Sequence, residues 1–147
     1  MEEKYNALLL DHQLCFPLYA CARETIKLYK PFLDELDLTY TQYITMMVLW
    51  ERGSVSVKEL GEALYLDSGT LTPLLKKMEA KGLLNRRRST EDERSLIVTL
   101  TDKGRDLRER ALEVPAKMSR CVVLSREESR ELYRLLYKLL KQNNTEA

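Results

Sequence analysis

Residues 54–101 constrain the fold more than any other part of the chain, because their apolar pattern changes there from a helical to a strand-like period. The first part, "SVSVKELGEALYL", places Glu59 three residues after Ser56. That spacing is typical of a capping box and predicts a short helix beginning at Ser56.

The next part, "DSGTLTPLLKKMEAKGLL", predicts a second helix that ends at Gly82. Its start has two interpretations. Asp67 or Ser68 could begin it with Pro73 inside, or Thr72 could cap it with Pro73 as the first helical residue.

The last part, "LNRRRSTEDERSLIVTLT", combines a charged turn with a β-branched run and predicts a two-stranded ribbon. Two short helices followed at once by a basic ribbon are the parts of a winged helix-turn-helix. In that arrangement the second helix enters the major groove of DNA, and the ribbon reaches the backbone or the minor groove.

Helical periodicity also runs through the rest of the chain. Residues from about 10 to 29 predict a long first helix, ended by Pro31, and "TYTQYITMMVLWERG" predicts a second helix capped by Thr39 or Thr41 and ended by Gly53. After residue 101 come two more helical segments, the second opened by a Ser125 cap.

The composition narrows the class of protein. With 147 residues, 44% of them hydrophobic and 32% charged, the sequence predicts one mainly α domain, 1–147, with a small β-wing. It contains no membrane-length apolar run and no cleavable leader, so we expect a cytoplasmic protein. Three cysteines and a lone histidine argue against a disulfide framework, a zinc site or another cofactor.

Charge is unevenly spread although the net charge is only +1. Residues 1–50 contain 4 Lys/Arg against 7 Asp/Glu, whereas residues 76–94 contain 7 against 4. Short polar side chains on the second helix suit contacts with bases or phosphates, and basic side chains suit phosphates. The candidate DNA-binding residues are Ser68, Thr70, Thr72, Lys76, Lys77, Arg86, Arg87 and Arg88. A merely solvated charged face is the alternative.

The stretch from Val57 to Gly104 resembles the DNA-binding core of the bacterial MarR family, including the wing motif "DER" at residues 92–94 and the following "LTDKG". Within that family, "LYLDSGTLTPLLKKME" together with "QLCFPLYACARE" is similar to the organic hydroperoxide sensors, and the resemblance covers nearly the whole chain.

This resemblance implies a homodimer on pseudo-palindromic double-stranded operator DNA, with half-sites ~34 Å apart. The winged helix would span about 55–101, and helices at about 8–30 and 102–143 would form the dimer interface. The resemblance also favours the earlier start of the second short helix. It implies that Arg94 enters the minor groove from the wing tip and that Asp92 holds it by an ion pair.

Helix geometry limits what Cys15 can contact within its own chain. At ~1.5 Å rise per residue, Cys21 lies ~9 Å along the axis and on another side of the helix, beyond the ~7 Å Cα limit of a disulfide. Tyr29 shares the face of Cys15 but lies ~21 Å away, so a contact needs a second subunit or a broken helix.

The resemblance implies that Cys15 is the reactive cysteine and that Tyr29 and Tyr40 hydrogen-bond it across the dimer, which would favour the thiolate. Cys121 would then resolve the oxidised Cys15 in an intersubunit disulfide; in the alternatives, a small cellular thiol does so and Cys121 is merely buried. Cys21 is interpreted as a buried residue without a role.

Pro17 leaves a further choice open. It could bend the first helix beside the thiol and create a pocket for an apolar peroxide, lined by Phe16, Tyr19 and Met46 or Met47. Alternatively, it could lie in the first turn of a helix that starts later than residue 10.

These inferences together predict a transcriptional repressor that binds DNA while Cys15 is reduced and releases it after oxidation by an organic hydroperoxide. Three alternatives differ in class. A MarR-type regulator could respond to a phenolic ligand or to general thiol stress, a thiol peroxidase would turn over catalytically, and an interaction module would lack DNA affinity. We expect no enzyme activity, because no Arg or His lies beside Cys15 as a basic partner for its thiolate, although Arg23 is one helix face away.

Overall fold

A computed structural model describes the backbone of residues 3–145 and the side chains of residues 3–143. Two short 3-10 helices, Glu3–Leu8 and Leu10–His12, precede the first α-helix. The α-helices in the described part are α1 Cys15–Asp34, α2 Tyr40–Arg52, α3 Val57–Leu64, α4 Ser68–Ala80, α5 Asp102–Ala111, α6 Glu113–Ser119 and α7 Arg126–Thr145. The mainly helical fold with a small β-wing is therefore confirmed.

The wing is part of a three-stranded antiparallel sheet, in which the strands are β1 Ser54–Ser56, β2 Leu84–Arg88 and β3 Leu96–Leu100. Their order is β1-β3-β2, and Val55 of β1 lies opposite Val98 of β3. The predicted two-stranded ribbon is present as β2 and β3. The sequence did not reveal β1, because three residues are too few to display the alternation of a strand.

Helix α1 differs from its prediction at both ends. It starts at Cys15 rather than near residue 10, so Pro17 lies in the first turn, where its missing N–H costs no hydrogen bond. It also continues through Pro31 to Asp34. The prediction that Pro31 ends the helix was wrong, because the buried Leu33 anchors the last turn in the core.

The end of α1 is a Schellman motif. The amide of Leu38 donates to the carbonyl of Leu33 at 3.0 Å, and that of Asp37 donates to Asp34 at 3.1 Å. Asp37 occupies the left-handed region with φ +53°, a conformation that glycine adopts most readily and that Asp tolerates better than most residues.

Side-chain caps occur where the sequence predicted them. Thr39 and Gln42 form a capping box at the start of α2, and Gly53 ends that helix with φ +77°. Ser56 and Glu59 form a second capping box at α3. At α7, the amide of Glu128 donates to Ser125 Oγ at 3.1 Å.

The turn between α3 and α4 depends on a close backbone approach. A side chain at Gly61 would place its Cβ 2.7 Å from the carbonyl oxygen of Leu66, so only glycine fits there. Asp67 then caps α4, and Pro73 lies within that helix, which agrees with the earlier of the two predicted starts.

The helical segment predicted after residue 101 is divided at Leu112 into α5 and α6. Pro115 has no amide hydrogen to donate to the carbonyl of Ala111, and the break falls beside this missing bond. Helix α6 packs against α1.

The hydrophobic core lies between α2, α3, α4 and the sheet, and its centre contains Met46, Leu49, Leu60, Met78 and Val98. Large apolar side chains at both ends of the chain are exposed instead. They include Leu10, Leu14, Phe16, Leu18, Tyr19 and Ile26 near the N-terminus, and Leu132, Tyr133, Leu135, Tyr137 and Leu139 on α7. Within residues 3–145, no helix is both long enough and apolar enough to span a bilayer.

Candidate nucleic-acid interface and redox site

Helix α4 separates a buried face from a polar face. Leu71, Leu75 and Met78 point into the core, whereas the opposite side is exposed to solvent. The exposed side carries all five of the residues predicted on this helix: Ser68, Thr70, Thr72, Lys76 and Lys77. The structure thus brings short hydrogen-bonding groups and two cations together on one surface, which is the chemistry required to contact bases and phosphates.

Local hydrogen bonds hold the N-terminal turn of α4. Asp67 Oδ1 accepts from the amide of Thr70 at 2.7 Å, and this bond is the main cause that holds the pKa of Asp67 below its usual value. Thr72 Oγ1 donates to the carbonyl of Ser68 at 2.8 Å. The carboxylate of Asp67 therefore stays ionised and keeps the first turn of the helix ordered.

Arg86 is directed away from the exposed surface of the wing. Its side chain is only 19% exposed, and its Nη2 lies 3.1 Å from Glu79 Oε1 on α4. Glu79 also accepts from the backbone amide of Arg86 at 2.9 Å. The side-chain hydrogen bond from Arg86 is the main cause of the lowered pKa of Glu79, followed by the backbone bond. The pair thus joins the base of the wing to α4.

The other two arginines of β2 lie in more open positions. Arg87 and Arg88 are both exposed, and Arg88 Nη1 donates to the carbonyl of Glu93 across the wing tip at 2.9 Å. Because side chains alternate along a strand, Arg86 shares the face of the buried Leu84 and Arg87 points to the other side.

Arg94 lies at the exposed tip of the wing, as predicted. The predicted ion pair with Asp92 was wrong: none of the ion pairs between described residues joins these two side chains. Asp92 Oδ1 accepts instead from the backbone amide of Arg94 at 3.0 Å, and Oδ2 accepts from Ser95 Oγ at 3.3 Å. Asp92 precedes Arg94 by only two residues. Its carboxylate therefore stabilises the turn through these local hydrogen bonds and does not pair with the guanidinium of Arg94.

Cys15 is the first residue of α1, and its side chain is exposed. It belongs to the uncovered apolar surface formed by Leu14, Phe16, Leu18 and Tyr19. Because α1 is unbroken from Cys15 onwards, Tyr29 lies ~21 Å along the axis from it. A contact between these two residues within one chain is therefore excluded.

The two candidate tyrosines lie together. The ring centroids of Tyr29 and Tyr40 are 4.9 Å apart, and Tyr43 joins them at 6.0 and 6.4 Å. Burial raises the pKa of all three hydroxyls, and their mutual repulsion when ionised raises the pKa of Tyr40 and Tyr43 further. These phenols stay protonated at neutral pH and remain hydrogen-bond donors. Sequence reasoning missed Tyr43, although it lies one helical turn after Tyr40.

The remaining cysteines differ from each other. Cys121 lies after the end of α6, is partly buried, and its Sγ donates to the carbonyl of Lys117 at 3.6 Å. Cys21 is exposed and lies 3.9 Å from Thr25 Oγ1. The interpretation of Cys21 as buried was wrong for the single chain, in which the structure places its side chain in an exposed position on α1.

Comparison with known proteins agrees with this architecture. A family model described as transcriptional regulator SarA/Rot matches residues 27–111. The chain belongs to this SarA/Rot family. The "Organic hydroperoxide resistance transcriptional regulator" of Bacillus subtilis is 49% identical to it over 141 residues, which cover 96% of each protein. Together these matches confirm the resemblance to winged-helix regulators and to their organic hydroperoxide-sensing subgroup.

Two solved structures of the protein AbfR are also similar. Reduced AbfR bound to DNA, from Staphylococcus epidermidis, is 35% identical with a TM-score of 0.76, covering 90% of this chain and 93% of AbfR. Disulfide-formed AbfR is 35% identical with a TM-score of 0.64, covering 93% and 96%. Overoxidised AbfR bound to DNA has the same TM-score of 0.76 as the reduced form, so the lower score belongs to the disulfide form.

Proposed function

We propose that the chain is a homodimeric transcriptional repressor in the cytoplasm that binds operator DNA while Cys15 is reduced and releases it when an organic hydroperoxide oxidises Cys15. The observation that carries this proposal is the position of Cys15. Its thiol is exposed at the N-terminal end of a long helix, on an apolar surface that nothing in the single chain covers. The chain is also 49% identical to an organic hydroperoxide resistance regulator.

Dimerisation would cover the apolar surfaces at the two ends of the chain. The helices at about 8–30 and 102–143 carry most of the exposed large apolar side chains. Burying them against a second copy follows from the hydrophobic effect, and two-fold symmetry would bring two winged helices, each about 55–101, onto one DNA duplex.

The redox chemistry would begin at the thiolate of Cys15. The sulfur attacks the terminal peroxide oxygen, the O–O bond breaks, and an alcohol leaves after taking up a proton, so that Cys15 becomes a sulfenic acid. Tyr29 and Tyr40 of the other subunit would donate hydrogen bonds that favour the thiolate. The thiol of Cys121 would then displace the hydroxyl as water and form an intersubunit disulfide.

Reading of DNA would use the polar side of α4 and the open part of the wing. Ser68, Thr70 and Thr72 would lie in the major groove, with Lys76 and Lys77 beside the phosphates. Arg87, Arg88 and Arg94 would contact the backbone or the minor groove, and Asp92 would keep the wing tip in shape. Arg86 would act indirectly, because its guanidinium is bound to Glu79.

Cys15 would act as a stoichiometric switch rather than as an enzyme nucleophile. In this scheme, one oxidation of Cys15 in each subunit is enough to change DNA affinity. A peroxidase, by contrast, would need its oxidised cysteine to be reduced again after every turnover. Release would follow because a new intersubunit bond changes the separation of the two α4 helices, which must match both half-sites at once.

The test compares wild type with Cys15→Ser and Cys121→Ser after treatment with cumene hydroperoxide, using non-reducing mass spectrometry and operator binding in parallel. We expect a covalent dimer and DNA release in wild type, and neither in Cys15→Ser. Cys21→Ser is the matched control and should behave like wild type. Release of DNA by oxidised Cys15→Ser would refute the role of Cys15, and a covalent dimer in Cys121→Ser would refute the two-cysteine scheme.

A further inference from the structure

Lys81 follows the last residue of α4 and binds the turn between α1 and α2. Its Nζ donates to the carbonyl of Asp37 and, at 3.1 Å, to Gln42 Oε1. The carboxylate of Asp37 lies 3.6 Å away. The side chain of Lys81 is 31% exposed, whereas Gln42 is buried, so these bonds are partly shielded from water.

The same end of α4 is bound from a second direction. Lys103 of α5 donates from its Nζ to the carbonyl of Lys81 at 2.7 Å, which satisfies one of the free carbonyls at the helix end. Lys81 thus joins three elements: its ammonium binds the α1–α2 turn and its carbonyl is held by α5.

The partner of Lys81 is a defined structure rather than a loose loop. Asp37 is the left-handed residue of the Schellman motif that ends α1, and Gln42 belongs to the capping box that starts α2. A displacement of α1 along or about its axis must therefore move the carbonyl of Asp37. That carbonyl accepts a hydrogen bond directly from Lys81, the residue that follows α4.

Helix α1 is suited to carry such a displacement. It is unbroken over 20 residues, or ~30 Å, from Cys15 at one end to Asp34 at the other. One end thus carries the reactive thiol of the proposed function, and the other end adjoins the Lys81 contacts.

We propose that Lys81 is the positioning residue that couples the redox state of Cys15 to the orientation of α4. This inference rests on the proposed function and identifies its route of regulation. Lys81 touches neither DNA nor peroxide in this scheme; it transmits movement of the α1–α2 turn to the DNA-reading helix.

The first experiment measures operator binding by reduced and by hydroperoxide-treated protein. We expect Lys81→Met to lower the ratio of oxidised to reduced dissociation constants by about fivefold or more, since allosteric couplings commonly amount to about 5- to 150-fold. Lys81→Arg should keep most of the ratio. Lys30→Met, which removes the same charge from an exposed site on α1, is the matched control and should keep it all.

Thermal unfolding and the oxidation of Cys15 are followed for each variant, because a merely structural role would change stability and leave the ratio intact. An equal ratio in Lys81→Met and Lys30→Met overturns the proposal.

A second experiment does not depend on peroxide sensing. Lys77→Cys, in a background with the three native cysteines replaced by serine, places one spin label on each α4 of the dimer. Lys81→Met should broaden the distribution of distances between the labels, and Lys30→Met should not. A narrow, unchanged distribution in Lys81→Met overturns the role of Lys81, whereas a wild-type protein that ignores hydroperoxide refutes only the proposed function.

Discussion

Arg86→Met and Arg87→Met remove the same charge from adjacent positions of β2, yet we expect them to change DNA binding differently. Arg86 lies 3.1 Å from Glu79 and is 19% exposed, so its guanidinium is already occupied within the protein. Arg87 is exposed on the opposite face of the strand, where a phosphate can reach it.

The size of the difference follows from counterion release. Each phosphate contact contributes about −0.9 to the slope of log K against log salt, and a homodimer carries every substitution twice. Arg87→Met should therefore reduce the magnitude of the slope by about 1.8 if each copy loses one phosphate contact. Arg86→Met should leave the slope unchanged while weakening binding at every salt concentration, because the wing loses its attachment to α4.

The assay is a fluorescence anisotropy titration of a labelled operator by reduced protein at several salt concentrations between about 50 and 200 mM. Glu79→Gln provides the control, since it breaks the same attachment from the other side and should reproduce the effect of Arg86→Met. A drop in slope for Arg86→Met as large as that for Arg87→Met would show that Arg86 reaches DNA after all.

Three further predictions concern the thiol, the wing and the turn. Tyr29→Phe should slow sulfenic acid formation at Cys15, followed by trapping and mass spectrometry, while the operator affinity of the reduced protein stays unchanged. Because bonds from Arg86 lower the pKa of Glu79, its carboxylate stabilises the fold above the ordinary glutamate pKa and loses this effect as pH falls through the lowered value. Glu79→Gln should therefore reduce the free energy of unfolding at neutral pH and not in acid, as measured by urea titration. Gly61→Val should prevent cooperative thermal unfolding, because its Cβ would meet a backbone carbonyl at 2.7 Å.

Features set by a few neighbouring residues could be predicted from the sequence. Ser56 with Glu59, Thr39 with Gln42, and Ser125 each cap a helix through bonds that span three residues. The order of the short helices and the ribbon could also be predicted, because the apolar pattern changes from a helical to a strand-like period within one continuous stretch. The winged helix could thus be recognised before its packing was known.

Features decided by packing could not be predicted in this way. Pro31 lies inside α1 because tertiary burial of Leu33 outweighs the lost hydrogen bond, and no local pattern reports that burial. The strand β1 forms through antiparallel pairing with β3, where Val55 lies opposite Val98, and residues 54–56 alone do not indicate this pairing. A run of basic residues also does not show that Arg86 is partly buried and Arg87 exposed. Counting alternate positions from the apolar Leu84 would have predicted this difference, because side chains alternate along a strand.

The proposed redox site differs from both cases, since no single chain would contain it. Cys15 belongs to an uncovered apolar surface, whereas Tyr29 lies ~21 Å farther along the unbroken α1 and packs against Tyr40 of α2. If these phenols stabilise the thiolate, they must come from the second subunit. Under the proposed function, oxidation of Cys15 would change a contact between subunits first, and its effect could reach α4 without any rearrangement of the hydrophobic core. In the proposed scheme, the separation of the two α4 helices would therefore depend on the chemistry at Cys15 through α1 and Lys81.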